Sequence, residues 1–445
     1  MTILSPFRGI RYQLAGAEDL SDLLAPPYDI ISEEMHAELL ARHPHSFVRL
    51  ELPEDGEDRY GQAAAFLSSW LAEGVLTRDP EPAFYLLEQE FQVADRRLRR
   101  RGVFGLVRLP GEGENYVLPH EGTLPAPKAD RLQLIRACRA MTSPILLMHE
   151  DADAALIHLL NEVAGEPDAA AQDSAGVAHR VWVLREEDRK QALCAAVGPG
   201  PLFIADGHHR FEAAIAYRNE TREANPEAPP EAGFNYALAL VTSAKDDGLE
   251  IFPTHRLVSC PGENAPEAIK ALMREHFEVH EWPLPDPTSL GRQPWLEGTS
   301  PDRHVFGAYC GDGSYYVLIA RDDILPPPAS VVERLDVSVL HRYLVDPMLS
   351  GSGPAPDADG RVSHDSQGAA LSCPGARLRY VTDEQQAIAA VDRGDYDLSL
   401  FLRPTRISDV IAAARAGERM PGKSTYFYPK VPAGIVISDA SPEPR

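Results

Sequence analysis

The segment from Pro201 to Asn219, PLFIADGHHRFEAAIAYRN, constrains the fold more than any other. Leu202, Phe203, Ile204 and Ala205 form a short apolar run that reads as a strand. Asp206-Gly207 then breaks the run, and Phe211, Ala214, Ile215 and Tyr217 return near one face of a helix starting at His208. Strand, glycine turn and helix in that order require a fold mixing α and β elements. The junction is also chemically loaded. A helix opening directly after a glycine turn points backbone N–H groups at the turn, and its dipole adds partial positive charge there. Gly207, His208, His209 and Arg210 therefore make a candidate phosphate cradle of backbone donors, imidazoles and a bidentate guanidinium. Asp206 is a candidate metal ligand, or it orients a histidine. The structural alternative is that Asp206 caps the helix and the histidines serve local carbonyls.

The rest of the chain supports a mixed α+β class. Phe84 to Val93 and Gly102 to Leu109 alternate like strands around ADRRLRRR, which predicts a hairpin with an arginine-rich tip. Helices are expected at Asp130 to Ala140, Val331 to Leu349, Glu384 to Arg393 and Ile407 to Ala416. A helix followed by a strand is expected from Glu263 to Trp282. Further strands are expected at Ser143 to Met148, Tyr236 to Val241 and Tyr396 to Leu402, with strand character from Tyr426 to Ile437. The 39 prolines mark joints, most clearly Pro26-Pro27, Pro229-Pro230 and Pro326-Pro327-Pro328. Ser350 to Gly360 reads as a glycine- and aspartate-rich connection.

At 445 residues the chain is long enough for two or three domains. Asp and Glu number 67 against 43 Lys and Arg, a formal net charge of −24. Such a field repels phosphate backbones and anionic membranes, so neither nucleic acid nor membrane is expected as a partner. A site that binds an anion must supply its own local positive charge. Cys138, Cys194, Cys260, Cys310 and Cys373 are scattered and odd in number, with no CxxC pair, which argues against a cysteine zinc site. The N-terminal stretch lacks an apolar signal region and no run reaches transmembrane length, so a cytoplasmic location is expected.

Further clusters carry candidate chemistry. Pro253-Thr-His255-Arg256 repeats the His-Arg theme. Pro119-His120-Glu121-Gly-Thr123, followed by Lys128, Asp130 and Arg131, offers His120 and Glu121 as general acid or base. Pro26-Pro27 rigidify a turn presenting Tyr28 and Asp29, with Ser32 placed to cap the next helix. Glu51 is expected at the end of a short strand after His43, His45 and Arg49. Gly417 to Ser424 matches the P-loop pattern by letter. A P-loop needs a strand before it and a helix after it, and the opposite order is expected here. Lys423, Ser424, Thr425 and Lys430 remain available as ordinary side chains.

PPYDII, HPHSFVRLELP, LPHEGT with KADRL, IADGHHRFEAA, PTHRL and MPGKSTYFYPK occur in this order over nearly the whole chain. Together they resemble domain-of-unknown-function family 1015. The DGHHR segment in turn resembles the phosphate-binding box of the ParB/sulfiredoxin-like fold, whose members bind nucleoside triphosphates and include kinases for free serine. The resemblance implies a ParB/sulfiredoxin-like N-terminal domain over 1–260 with a large insertion at about 80–195. A mixed α/β domain over 261–445 would follow. It implies ATP or ADP bound with its phosphates at Gly207, His208, His209 and Arg210. His255, Arg256 and Lys423 join them as candidate nucleotide-binding groups. Mg2+ would bridge the phosphates, and Asp29, Glu51 or Glu121 would accept a proton from a small hydroxyl substrate such as a serine-like amino acid. Two alternatives stand beside a phosphotransferase. One is a metal-dependent hydrolase using Asp206, His208, His209 and His255, although neighbouring helix residues diverge by about 100°. The other is a nucleotide-sensing regulator without turnover.

Overall fold

The computed structural model describes residues 3–14, 19–56, 58–260, 265–283, 296, 300, 303–325, 330–349 and 375–443. The expected connection from Ser350 to Gly360 and the triple proline at 326–328 lie outside them. The chain forms two compact units. The first comprises Met1–Pro119, Thr123–Glu250 and Pro429–Arg445, and the second His120–Gly122 and Ile251–Tyr428. The division expected at residue 260 thus stands beside a structural division at Glu250, with the C-terminal segment returned to the first unit.

Unit 1 is built on a 9-stranded mixed sheet. Its order is Val117–Leu118, Leu202–Asp206, Ile145–His149, Tyr236–Ser243, Arg96–Arg108, Phe84–Val93, Ala178–Leu184 and Ala169–Gln172, and Leu4–Ser5 pairs with Arg96–Arg108. Leu202–Asp206 runs parallel to Val117–Leu118 and antiparallel to Ile145–His149. Tyr236–Ser243 is buried along its full length, as a central strand covered on both faces must be. The stretch 80–195, expected as an insertion, supplies strands from Phe84 to Leu184 throughout this sheet.

The hairpin forms, with exposed Arg96 and Arg97 beside its turn and the other arginines running on into the strand. The turn is Ala94-Asp95, with Ala94 left-handed, and Arg96 to Arg101 all lie in the strand Arg96–Arg108. Glu88 faces Arg101 and Glu90 faces Arg99 across the ladder. The buried Arg101 guanidinium donates to Glu88 at 2.7 Å and to the carbonyls of Leu160 and Val163. Opposite charges paired across strands explain the run.

The helix expected at Asp130 begins earlier, at Pro125, and ends at Cys138. Prolines disguise its start, yet the first helical turn accepts them because its N–H groups have no helical partner. Glu51 closes a one-turn helix, Val48–Glu51, and not a strand. Val48, Leu50 and Glu51 are buried while Arg49 is partly exposed, and so short a segment suits either geometry. Ser32 caps the helix Glu33–Arg42 as expected, accepting from the Met35 N–H at 3.2 Å. The C-terminal segment is laced into unit 1 by backbone bonds of Ala433 with Ala25 and of Ile437 with Ile10. Gly434 makes this possible: it is left-handed, φ +99°, and a Cβ there would lie 2.8 Å from the Phe47 ring.

Unit 2 contains a 6-stranded sheet ordered Phe277–Pro283, Ser314–Ala320, Val305–Tyr309, Leu398–Phe401, His255–Ser259 and Arg377–Val381. Its core gathers Leu257, Val305, Tyr315, Ile388 and Phe401. The helix expected over Val331 to Leu349 is broken into Asp336–Leu340, a π turn at His341–Val345 and Asp346–Leu349. Cys260 is disulfide-bonded, which the scattered cysteine pattern did not suggest, while the Cys194 thiol donates to the Leu4 carbonyl at 3.4 Å. Among the described residues no helix is long and apolar enough to cross a membrane.

Candidate functional site

The strand Leu202–Asp206 ends in Gly207, whose φ of +93° turns the chain sharply into the helix His208–Ala224. No side chain caps this helix start. Asp206 keeps 21% side-chain exposure, and its Oδ2 lies 3.4 Å from both Lys430 Nζ and Arg210 Nη2. Burial would raise the Asp206 carboxyl, but Lys430, Arg210 and His208 outweigh it and hold it well below the usual carboxylate range. Arg210 is buried and also donates to the Pro144 carbonyl.

Thr142, Ser143 and Pro144 tie this turn to a second group of charges in unit 1. Pro144 receives Arg210, while the hydroxyls of Ser143 and Thr142 both donate to Glu51 Oε2. The fully buried Glu51 Oε1 accepts from the Tyr28 N–H at 3.4 Å and lies 3.6 Å from Arg131 Nη1. Arg131 also donates to the Glu51 carbonyl and to Asp130, and its guanidinium sits 4.0 Å from the Tyr28 ring centroid. Burial, reinforced by Asp29, pushes the Tyr28 hydroxyl up to about 12 against the pull of Arg131 and Arg210. Asp29 itself is exposed on the one-turn helix Tyr28–Ile30.

His209 has a different employment. Its Nε2 accepts the Leu124 N–H at 2.9 Å, so that nitrogen carries no proton. This ring satisfies the start of the helix Pro125–Cys138, which no side chain of its own caps. One turn on, Glu212 receives Thr123 Oγ1 at 2.6 Å and Lys128 at 3.3 Å.

Unit 2 gathers the other sequence motifs. Glu121 Oε1 accepts the Lys423 N–H at 2.7 Å, and His120 Nε2 lies 3.1 Å from Thr425 Oγ1. Lys423 is left-handed, φ +58°. The segment Gly417 to Ser424 follows the helix Ile407–Arg415 and precedes the strand Tyr426–Tyr428, the reverse of a P-loop. A carboxylate meets the Lys423 amide where a P-loop would present a phosphate. Arg256 is buried, donates to the carbonyls of Thr254 and Lys423, and lies over Tyr380. Burial lowers its pKa to about 10.

His255 is fully buried, accepts the Leu402 N–H at 3.3 Å, and lies 3.7 Å from Glu384. Burial, with repulsion from Arg256, pushes it down to about 3. The fold therefore holds the neutral ring. Its contribution to stability is complete above the ordinary value of 6.5 and is lost as pH falls from there toward 3. The expected slope from this group is up to about 1.4 kcal/mol per pH unit. Urea unfolding at pH 7 and pH 5 measures it, and His255→Gln is expected to flatten the dependence. An unchanged slope in the variant would refute the assignment.

Asp206, Gly207, His208, His209, Arg210, Glu51 and Asp29 thus belong to unit 1. His120, Glu121, His255, Arg256 and Lys423 belong to unit 2. Among the described residues no group of three or more His, Cys, Asp or Glu side chains is placed to hold a metal ion. Sequence reasoning did not single out Gln89 or Ser143, and it read Arg100 only as part of an arginine-rich stretch. Nothing local distinguishes them, because their roles depend on sheet neighbours.

The family model described as "Protein of unknown function (DUF1015)" matches residues 4–338. The chain belongs to this family. The match takes in both charge clusters of unit 1 except Lys430, and His120, Glu121, His255 and Arg256 of unit 2. No curated protein matches the sequence. Among solved structures, a conserved hypothetical protein from Pyrococcus furiosus is similar at a TM-score of 0.37 and 14% identity, over 76% of this chain and 95% of that one. A mutant free serine kinase in complex with ADP is similar at 0.37 and 14%, over 73% and 87%. SbnI with a C-terminal truncation from Staphylococcus aureus is similar at 0.35 and 13%, over 76% and 88%.

Proposed function

We propose that this protein is a nucleotide-dependent phosphotransferase acting on a small hydroxyl substrate, with a serine-like amino acid as the concrete form. The observation that carries the reading is the Gly207 turn. A left-handed glycine opens a long helix with no side-chain cap, and a buried guanidinium, Arg210, stands in its first turn. Backbone donors, a helix dipole and a fixed positive charge at one point suit a terminal phosphate. Such chemistry needs positioning and charge neutralisation more than covalent help. The same turn answers to the phosphate box that the resemblance to the ParB/sulfiredoxin-like fold implies.

Of the expected bases, Glu51 is sealed and bonded at both oxygens, and Glu121 holds the Lys423 amide. Asp29, exposed beside Tyr28, is the base in this reading, and Glu51 with Arg131 is the frame that holds its turn. The donor set does not fit a divalent ion held by protein groups. Asp206 is the carboxylate at the turn, and two cations already approach one of its oxygens. Magnesium in this reading arrives on the nucleotide. For the metal-hydrolase alternative, no group of three or more His, Cys, Asp or Glu side chains is placed to hold a metal ion among the described residues.

Thermal unfolding with ATP, ADP, CTP and pyrophosphate, each with and without magnesium, tests the reading. A nucleotide at 100 times its dissociation constant is expected to add about 2.7 kcal/mol. Arg210→Lys keeps the charge but loses the fork, and most of the shift is expected to disappear. A parent protein that no nucleotide stabilises would sink the proposal.

A further inference from the structure

The C-terminal segment Pro429–Arg445 belongs to unit 1 and brings Lys430 to the Asp206 carboxylate. Two buried side chains from the central hairpin control this arrival. Gln89 Nε2 donates to the Lys430 carbonyl at 2.9 Å, and Arg100 Nη2 donates to the Pro429 carbonyl at 2.6 Å. Arg100 also donates to the Gln89 amide oxygen, so the two form one clamp on consecutive peptide groups. Arg100 is 1% exposed, and its Nε and Nη1 meet no hydrogen-bond partner among the described residues. Burying a guanidinium with unmet donors is costly.

The clamp places Lys430 Nζ 3.4 Å from Asp206 Oδ2, which Arg210 approaches at the same distance. Two cations thus share one carboxylate oxygen beside the helix start at His208. Lys430 keeps 14% side-chain exposure and sits on a long flexible stem, whereas Arg210 is fixed by Pro144. An ammonium is a movable point charge suited to changing partners.

We infer that Lys430 is a phosphate-binding residue of this site. It rests on Asp206 in the unloaded protein and transfers to a phosphate oxygen when ligand binds, while Arg100 and Gln89 hold its backbone in place. The inference rests on the nucleotide reading and adds to it a residue from the far end of the chain.

Calorimetric titration with pyrophosphate and with ADP tests it on the full-length protein. Lys430→Met is expected to weaken both by about 10- to 100-fold, the loss of one hydrogen bond between charged groups. Lys430→Arg is expected to stay within a few fold of the parent. The double variant Asp206→Asn with Lys430→Met separates contact from screening. If Lys430 touches phosphate, the double variant stays weak. If Lys430 serves only to neutralise Asp206, the double variant regains parental affinity and the inference is overturned. Parental affinity in Lys430→Met alone overturns it too, with the nucleotide reading left standing. A parent that binds neither ligand overturns the nucleotide reading itself, and this assignment with it.

Discussion

Replacing Arg131 by methionine is expected to lower the unfolding free energy by about 3–5 kcal/mol, the cost of breaking a buried ion pair from one side. Arg131 has 4% side-chain exposure and its partner Glu51 has none. Without the guanidinium the Glu51 carboxylate keeps Ser143, Thr142 and the Tyr28 N–H but loses its cation. Asp130 loses one of its two arginines and keeps Arg59 at 2.6 Å. The stack on Tyr28 also disappears. Urea unfolding reads the effect as a fall in midpoint at constant slope. Adding Glu51→Leu to Arg131→Met is expected to recover part of the loss, because the uncompensated charge goes with it. A single-variant loss below about 1 kcal/mol would place this pair with exposed surface pairs and remove its role as a frame.

Gly207→Ala is expected to cut nucleotide affinity by roughly 100-fold or more, with stability falling by about 1–2 kcal/mol from the left-handed backbone alone. At φ +93° the added Cβ would stand 2.9 Å from Arg210 Nε and 3.0 Å from Cζ and Nη2. The turn must open or Arg210 must leave its place between Pro144 and Asp206. Either change disturbs the backbone donors and the guanidinium together, so the binding loss exceeds what strain alone would cause. Titration of ADP into the variant checks this. Parental affinity would show that phosphates are bound elsewhere.

The contrast between these two residues shows what a linear reading can reach. Gly207 was legible because everything it needs is adjacent: an apolar run before it, a helical period after it, and a turn between. Ser32 as a cap and the hairpin from Phe84 to Arg108 were legible for the same reason. The start of the helix Pro125–Cys138 was missed by a few residues, since prolines in a first turn look like a loop. Glu51 reads as the end of a strand because a four-residue segment is too short to show a period. The burial of Arg100 and Arg101 in the hairpin is not legible in the arginine run, because it depends on Gln89 and Glu88 on the facing strand.

Local order along the chain therefore established the mixed α+β class, the strand–glycine–helix turn and the absence of a P-loop at Gly417. These depend on interactions between residues a few positions apart, where propensity, turn chemistry and side-chain period act. The sheet order, the return of Pro429 to unit 1, the clamp of Arg100 and Gln89, and the meeting of Glu51 with Arg131 were decided by tertiary structure alone. Each pairs groups separated by tens to hundreds of residues. No short-range pattern encodes such a pairing; it emerges only when the whole sheet buries its faces and every buried charge must find a partner.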